Sequence, residues 1–243
     1  MHIEELITID IETASQYACY DDMNTEWREL WAEKTTKTNV ETNVAEWYVS
    51  RAGVMAEFSK VICISIGYFD ASFNKINIQS IYGYQEHEIL EQFIQRLHKI
   101  KINNWCFAGH NIREFDIPFL CRRLLINNLP IPDCMNFQNK KPWELRLFDT
   151  FQYWRFGDYK NFTSLKLLAH ALQIPSPKNN MDGSMVGVLY WEKNPINRHL
   201  NMIRIAEYCS KDVETTMLII LKLMQHEYRG QWEIEQVNHS LIA

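Results

Sequence analysis

The chain predicts a mixed α/β fold: a five-stranded mixed sheet flanked by helices, with a helical insertion after the first strand. Three observations lead there. β-Branched runs near the N-terminus and in the middle have strand character, apolar groups between and after them recur at helical spacing, and about 45 residues follow the first run that a minimal α/β domain does not need. A chain of 243 residues can bury a substantial core as one domain, residues 1–243, with the insertion at about 14–58.

Residues 3–11 (IEELITIDI) are β-branched at Ile7, Thr8, Ile9 and Ile11, which predicts a strand with Asp10 and Glu12 at its C-terminal end. In the insertion, NTEWRELWAEK and NVETNVAEWYVSRAG carry apolar groups at helical spacing. Residues 61–69 and 76–82, joined by the short polar DASFNK, predict an antiparallel hairpin. From Glu86 to Ile102, apolar residues at Ile89, Leu90, Phe93, Ile94, Leu97 and Ile100 give a helix with one buried face. A short strand at 104–109 follows. The next helix starts near Phe115, because Pro118 fits only within a first turn.

Three prolines in 127–145 mark a surface connection before the strand-like RLFDTF. TSLKLLAHAL is a short amphipathic helix, IPSPKNNMDG a loop ending in a turn, and Asn194-Pro195 opens a helical region reaching about His226. Strand, insertion, hairpin, helix, strand, helix, strand, helices is the order of a ribonuclease-H-like sheet.

Composition narrows the function classes. With 47% hydrophobic and 13% aromatic residues the chain folds. Thirty acidic against twenty-five basic residues, net −5, exclude a broad basic surface, so any nucleic-acid contact is local. Cysteines at 19, 63, 106, 121, 134 and 209 form no C-x-x-C pair, which argues against zinc ribbons and redox dithiols. No run reaches the ~20 apolar residues that cross a bilayer, and the N-terminal apolar run contains acids, so the expected location is cytoplasmic.

Asp10 and Glu12, two apart on a strand, point to one face, where two like charges need a cation or solvent. A solvated strand end is the plainer alternative. Asn111-Ile-Arg-Glu-Phe115-Asp116 follows a strand and opens a helix, so Asp116 either faces the crevice at the strand ends or meets the helix dipole. Tyr208 and Asp212, one helical turn apart, share a face. Tyr17 and Asp21 repeat that spacing, but at the entrance to the insertion. Asp212-Val-Glu214 repeats the spelling of the first acids, yet residues two apart on a helix diverge.

Through DIET (10–13), GHNIREFDIPFL (109–120) and YCSKD (208–212), the sequence resembles the DEDD superfamily of 3′-to-5′ exonucleases in its tyrosine-bearing (DEDDy) subclass. Within that subclass it looks closest to stand-alone relatives of the family B DNA polymerase exonuclease domain. The resemblance spans about residues 3–225. It implies a ribonuclease-H-like fold and two divalent cations, Mg²⁺ or Mn²⁺, held by Asp10, Glu12, Asp116 and Asp212. Tyr208 would orient the attacking water, and Thr13, Asn111 and Phe115 would meet the terminal nucleotide. The implied substrate is a DNA 3′ end, preferably single-stranded, and the products are nucleoside 5′-monophosphates. RNA 3′-trimming and a non-catalytic module of the same fold are the alternatives, with a polymerase or repair protein as a candidate partner.

Arg113, Arg155, Lys160, Lys166 and Lys178 are candidate phosphate contacts or plain surface charges. Trp27, Trp31 and Trp47 are read as packing groups of the insertion, with stacking on a single strand as the alternative. Asp149 is expected to serve backbone donors. His170 stands far from the position, four or five residues before the last acid, where the histidine-bearing subclass carries its base.

Overall fold

Strand β1 (Leu6–Ser15) runs through the middle of the sheet in the computed structural model, which describes residues 2–37, 43–70, 75–100, 105–175, 181–226, 233–236 and 240–242. The other strands are β2 (Ser59–Phe69), β3 (Lys75–Gly83), β4 (Cys106–Gly109), β5 (Leu147–Asp149), β6 (Glu233–Gln236) and β7 (Ser240–Ile242). Their order is β5-β4-β1-β2-β3-β6, and β7 also pairs with β3. β1, β2 and β3 are antiparallel neighbours, while β4 and β5 run parallel to β1. The five expected strands form the ribonuclease-H-like sheet. β6 and β7 extend it to seven; their four and three residues are too short to show a period.

β1 runs past its acids to Ser15, so Asp10 and Glu12 are not at its end as the sequence suggested. They stand beside a bulge between Glu12 and Thr13. β4 pairs with β1 only over Leu6–Thr8, so the flank of β1 that carries the acids is left open by the early end of β4.

The helices are α1 (Thr25–Thr36), α2 (Val44–Arg51), α3 (Glu86–His98), α4 (Asp116–Ile126), α5 (Thr150–Trp154), α6 (Leu165–Ala171), α7 (Gly183–Tyr190) and α8 (Pro195–Leu223). RLFDTF holds only the three-residue β5, because the Asp149 carboxylate accepts from Phe151 N and Gln152 N and starts α5 at once. α7 was not foreseen: Asp182-Gly183 reads as a turn, but Asp182 accepts from Ser184 N as an N-cap. α8 is unbroken over 29 residues, capped by Asn194, and ends at Leu223 rather than His226. No described helix is long and apolar enough to cross a membrane.

Helices α3 and α4 cover one face of the sheet, packing Leu90, Phe93, Leu120 and Leu124 against Ile64, Ile66 and Phe107. On the other face α8 packs Val213 and Met217 against Phe69, Ile76 and Ile78. In the insertion, Trp31, Trp47, Tyr48 and Phe58 form a separate buried cluster against which Trp27 packs. Trp31 Nε1 donates to the Val44 carbonyl, tying α1 to α2 at 3.0 Å. The three tryptophans are therefore packing groups. Two contacts fasten the segment after α2, one to the sheet and one to α4: Thr13 Oγ1 donates to Gly53 O at 2.6 Å, and Arg123 Nη1 donates to Ala56 O at 2.7 Å. Arg123 is itself paired with Glu86, a carboxylate that also accepts from Val61 N.

Candidate active site

Asp10 and Glu12 emerge from β1 on the side covered by α8, as the two-residue strand period requires. Ligand atoms of Asp10, Glu12 and Cys209 lie within 4.8 Å of one another. Cys209 Sγ donates to Asp10 Oδ2 at 3.3 Å. Glu12 is buried, whereas Asp10 keeps some solvent access. Burial, and then Asp212 and Asp116, push the Asp10 carboxyl well above its ordinary value. Glu12 rises for the same reasons, burial first and then Asp10 and Asp212.

Asp116 is the first residue of α4 and is buried; its carboxylate accepts from the Ile11 backbone amide on β1. Burial still pushes it up to about 7. Asp212, on α8, is pushed up to about 6 by burial, against the lowering effect of a hydrogen bond from Tyr208. The Tyr208 phenol is raised by burial and then by Asp212, Glu12 and Asp10. Three elements far apart in sequence, β1, α4 and α8, thus feel one field, with Asp10 and Glu12 at its centre and Asp116, Asp212 and Tyr208 around them.

Asn111 sits between β4 and α4 in the left-handed region, at φ 61°. Its N–H donates to Asp149 Oδ1 at 2.9 Å, while its own Oδ1 is buried without a partner among the described residues. Asp149 accepts from four backbone amides, those of Asn111, Arg113, Phe151 and Gln152. Phe115 caps α4 and packs on Phe119 at 5.4 Å between ring centroids. The Thr13 hydroxyl is committed to Gly53. Arg155 pairs with Glu114, Arg113, Lys160 and Lys166 are exposed, and Lys178 lies outside the described residues. The competing Tyr17 packs into the insertion cluster, and His170 is exposed.

Cys209 is a further residue of the site, outside the motif residues that the sequence singles out. The signal was present, since Cys209 is three residues before Asp212 and so lies on the same side of the helix as that acid. Its partner Cys63, which stands opposite Glu12 on β2, is a matter of register that only the paired sheet reveals.

The donor set fits divalent cations. The carboxyls raise one another's protonation, and among the described residues no lysine or arginine forms an ion pair with any of them. Oxygen donors suit hard ions. The buried Cys209 thiol is pushed up and so stays protonated, a hydrogen-bond donor to Asp10.

Residues 54–241 match the model of a family described as a predicted 3′-5′ exonuclease related to the exonuclease domain of PolB. The chain belongs to this family. The match covers α4 and α8, and with them Asn111, Asp116, Tyr208 and Asp212, and starts after β1. No curated protein matches the chain. Among solved structures, the family B DNA polymerase of the hyperthermophilic archaeon Pyrobaculum calidifontis superposes with a TM-score of 0.51 at 11% identity, over 90% of this chain and 24% of the polymerase. This PolB-exonuclease relative therefore spans about a quarter of the polymerase with which it shares a fold. The RNase domain of yeast Pop2 aligns over 95% of this chain and 81% of its own at 13% identity, with a TM-score of 0.37.

Proposed function

We propose that the protein is a tyrosine-type DEDD 3′-to-5′ exonuclease. Its reaction is hydrolysis of the terminal phosphodiester bond of DNA, preferably single-stranded, with release of nucleoside 5′-monophosphates. One observation carries the reading: Asp10 and Glu12 stand together on β1, Asp116 and Asp212 both raise their protonation, no cationic side chain among the described residues pairs with any of the four, and Tyr208 is hydrogen-bonded to Asp212. Family membership supports the same reaction class.

Asp10, Glu12, Asp116 and Asp212 would hold two divalent cations, Mg²⁺ or Mn²⁺, which when bound supply charge neutralisation at the phosphate and a more acidic water. Tyr208, its phenol raised, stays protonated at neutral pH and does not act as a base. Its O–H donates to Asp212, which leaves a lone pair on the phenol oxygen to orient the attacking water. The unpartnered Asn111 Oδ1 is an acceptor for a hydroxyl or N–H of the terminal nucleotide. Phe115 and the β1 backbone at Thr13 would complete the contacts to that nucleotide. A grip confined to the last few nucleotides reconciles nucleic-acid binding with a net charge of −5. The chain acts as one nuclease domain, with the insertion anchored beside the crevice through Thr13 and Gly53.

The test uses 3′-labelled single-stranded DNA and RNA of matched sequence with Mg²⁺, Mn²⁺ or chelator. Metal-dependent mononucleotide release is expected, greater on DNA, abolished in Asp10→Ala and Asp212→Ala. Tyr208→Phe should slow it by about 10²-fold. Release that survives all three substitutions overturns the proposal, and faster release from RNA moves the substrate class to RNA.

A further inference from the structure

β1, β4 and β5 are parallel, so the segment that leaves β5 and α5 starts from the end of the sheet toward which β1 carries Asp10 and Glu12. That segment, residues 156–163, is fastened to the crevice. His110 Nε2 donates to the Thr163 carbonyl at 2.9 Å, and the Phe162 ring packs on buried Phe151 at 4.9 Å. His110 immediately precedes Asn111, whose side-chain oxygen lacks a partner.

The segment presents its rings outward. Phe156 is 83% exposed, Tyr159 74% and Phe162 66%. Phe156 also holds φ at 45°, directly after the α5 C-cap Arg155 and before Gly157 at φ 90°. Glycine is the usual residue at that place. A phenylalanine held there against its backbone preference keeps most of its ring in water and meets the Tyr153 ring only edge-on, at 6.3 Å between centroids, too little packing to account for it. Lys160 stands between the rings with no carboxylate in ion-pair range among the described residues. The segment's one acid, Asp158, accepts from Lys160 N–H and Asn161 Nδ2.

We infer that Phe156, Tyr159 and Phe162, with Lys160 among them, form a stacking track for the single strand that leads away from the 3′-terminal nucleotide. The inference rests on the nuclease reading for the strand's direction, and the alternation of largely exposed rings with a cation that has no ion-pair partner among the described residues favours a nucleic-acid strand over an apolar protein surface. Bases stack on exposed rings whatever their sequence, and the ammonium meets the intervening phosphate.

The probe is 5′-fluorescein (dT)12, with (rU)12 as the ribose arm, read by anisotropy in chelator so that hydrolysis is off. Tyr159→Ala should weaken (dT)12 binding about tenfold. Lys160→Ala should lower the salt slope by about one. Phe156→Gly is the deciding variant: it relieves the backbone, so its Tm should rise while (dT)12 affinity falls about tenfold. With metal restored, the preference for (dT)12 over (dT)2, as a ratio of kcat/KM, should fall by about the same factor. Unchanged (dT)12 affinity in Phe156→Gly and Tyr159→Ala overturns the track and leaves the nuclease reading untouched, since binding is read without turnover. A wild-type protein that binds (dT)12 but releases no nucleotide overturns the nuclease reading instead. Equal losses on (rU)12 and (dT)12 mean that the track serves either polymer.

Discussion

Cys209 Sγ lies 3.3 Å from Asp10 Oδ2 and 3.4 Å from the Asp10 carbonyl oxygen, so one thiol touches both the side chain and the backbone of the same residue. Burial keeps that thiol protonated, which makes it a donor that fixes the Asp10 carboxylate and not a competing charge. Removing the donor frees Asp10 to rotate. Cys209→Ala is expected to raise the Mn²⁺ concentration for half-maximal nucleotide release by roughly fivefold, the equivalent of about 1 kcal/mol. Cys209→Ser, which restores a donor, should stay within about twofold of wild type. An alanine titration that superimposes on wild type would reduce the thiol to a space-filler.

The crowded carboxyls predict an inverted pH dependence of stability in the metal-free protein. Unfolded carboxyls titrate near about 4. In the folded chain Asp212 is pushed up to about 6, Asp116 to about 7, and Asp10 and Glu12 are also raised. Between those limits the folded state holds protons that the unfolded state has released, so stability falls as pH rises. In chelator, Tm should therefore drop from pH 5 to pH 8. Added Mg²⁺ should restore more at pH 8 than at pH 5, because it binds the ionised acids. Asp116→Asn should flatten the chelator profile. Calorimetry decides it: a Tm that climbs from pH 5 to pH 8 in chelator would mean that the acids do not burden the fold.

Asp149 is a positioning residue. It holds the Asn111 and Arg113 amides on one side and caps α5 on the other. Asp149→Ala leaves those donors unmet and should cost about 1–3 kcal/mol in urea unfolding. Because Asn111 loses its anchor, KM for oligonucleotide should rise more than kcat falls. Asp149→Asn keeps one acceptor oxygen and should recover part of both losses. A kcat collapse as deep as that of Asp10→Ala, with KM unchanged, would instead place Asp149 among the reacting groups.

What could be read in advance divides along physical lines. Asp10 and Glu12 share a face because strands have a period of two, and Tyr208 and Asp212 because helices return after four, so local geometry suffices for each pair. The hairpin of β2 and β3 and the amphipathic α3 announce themselves by the same periods. Where local preference is ambiguous, tertiary contacts decide. Thr13-Ala14-Ser15 continues β1 because β2 pairs with it, although the acids look like a strand end. Asp182-Gly183 spells a turn equally well with or without α7 behind it. The Ile11 amide meeting Asp116, and Cys63 standing opposite Glu12, depend on pairings that no periodicity encodes.

Gly67 sets how closely α8, and with it Tyr208 and Asp212, can approach the sheet. A Cβ at this position would lie 2.5 Å from Val213 Cγ1 and 2.6 Å from Met217 Sδ. The methionine can swing aside, but Val213 is β-branched and held by the helix. Gly67→Ala should thus lift α8 locally and destabilise the protein by about 1–3 kcal/mol. Since Asp212 adjoins Val213, nucleotide release should fall as well. Val213→Ala in the Gly67→Ala background removes the obstructing methyl groups and should recover part of the stability and part of the activity, a favourable coupling measurable as a double-mutant cycle. Strictly additive losses in urea unfolding would show that the helix tolerates the extra methyl and that its seating is governed elsewhere.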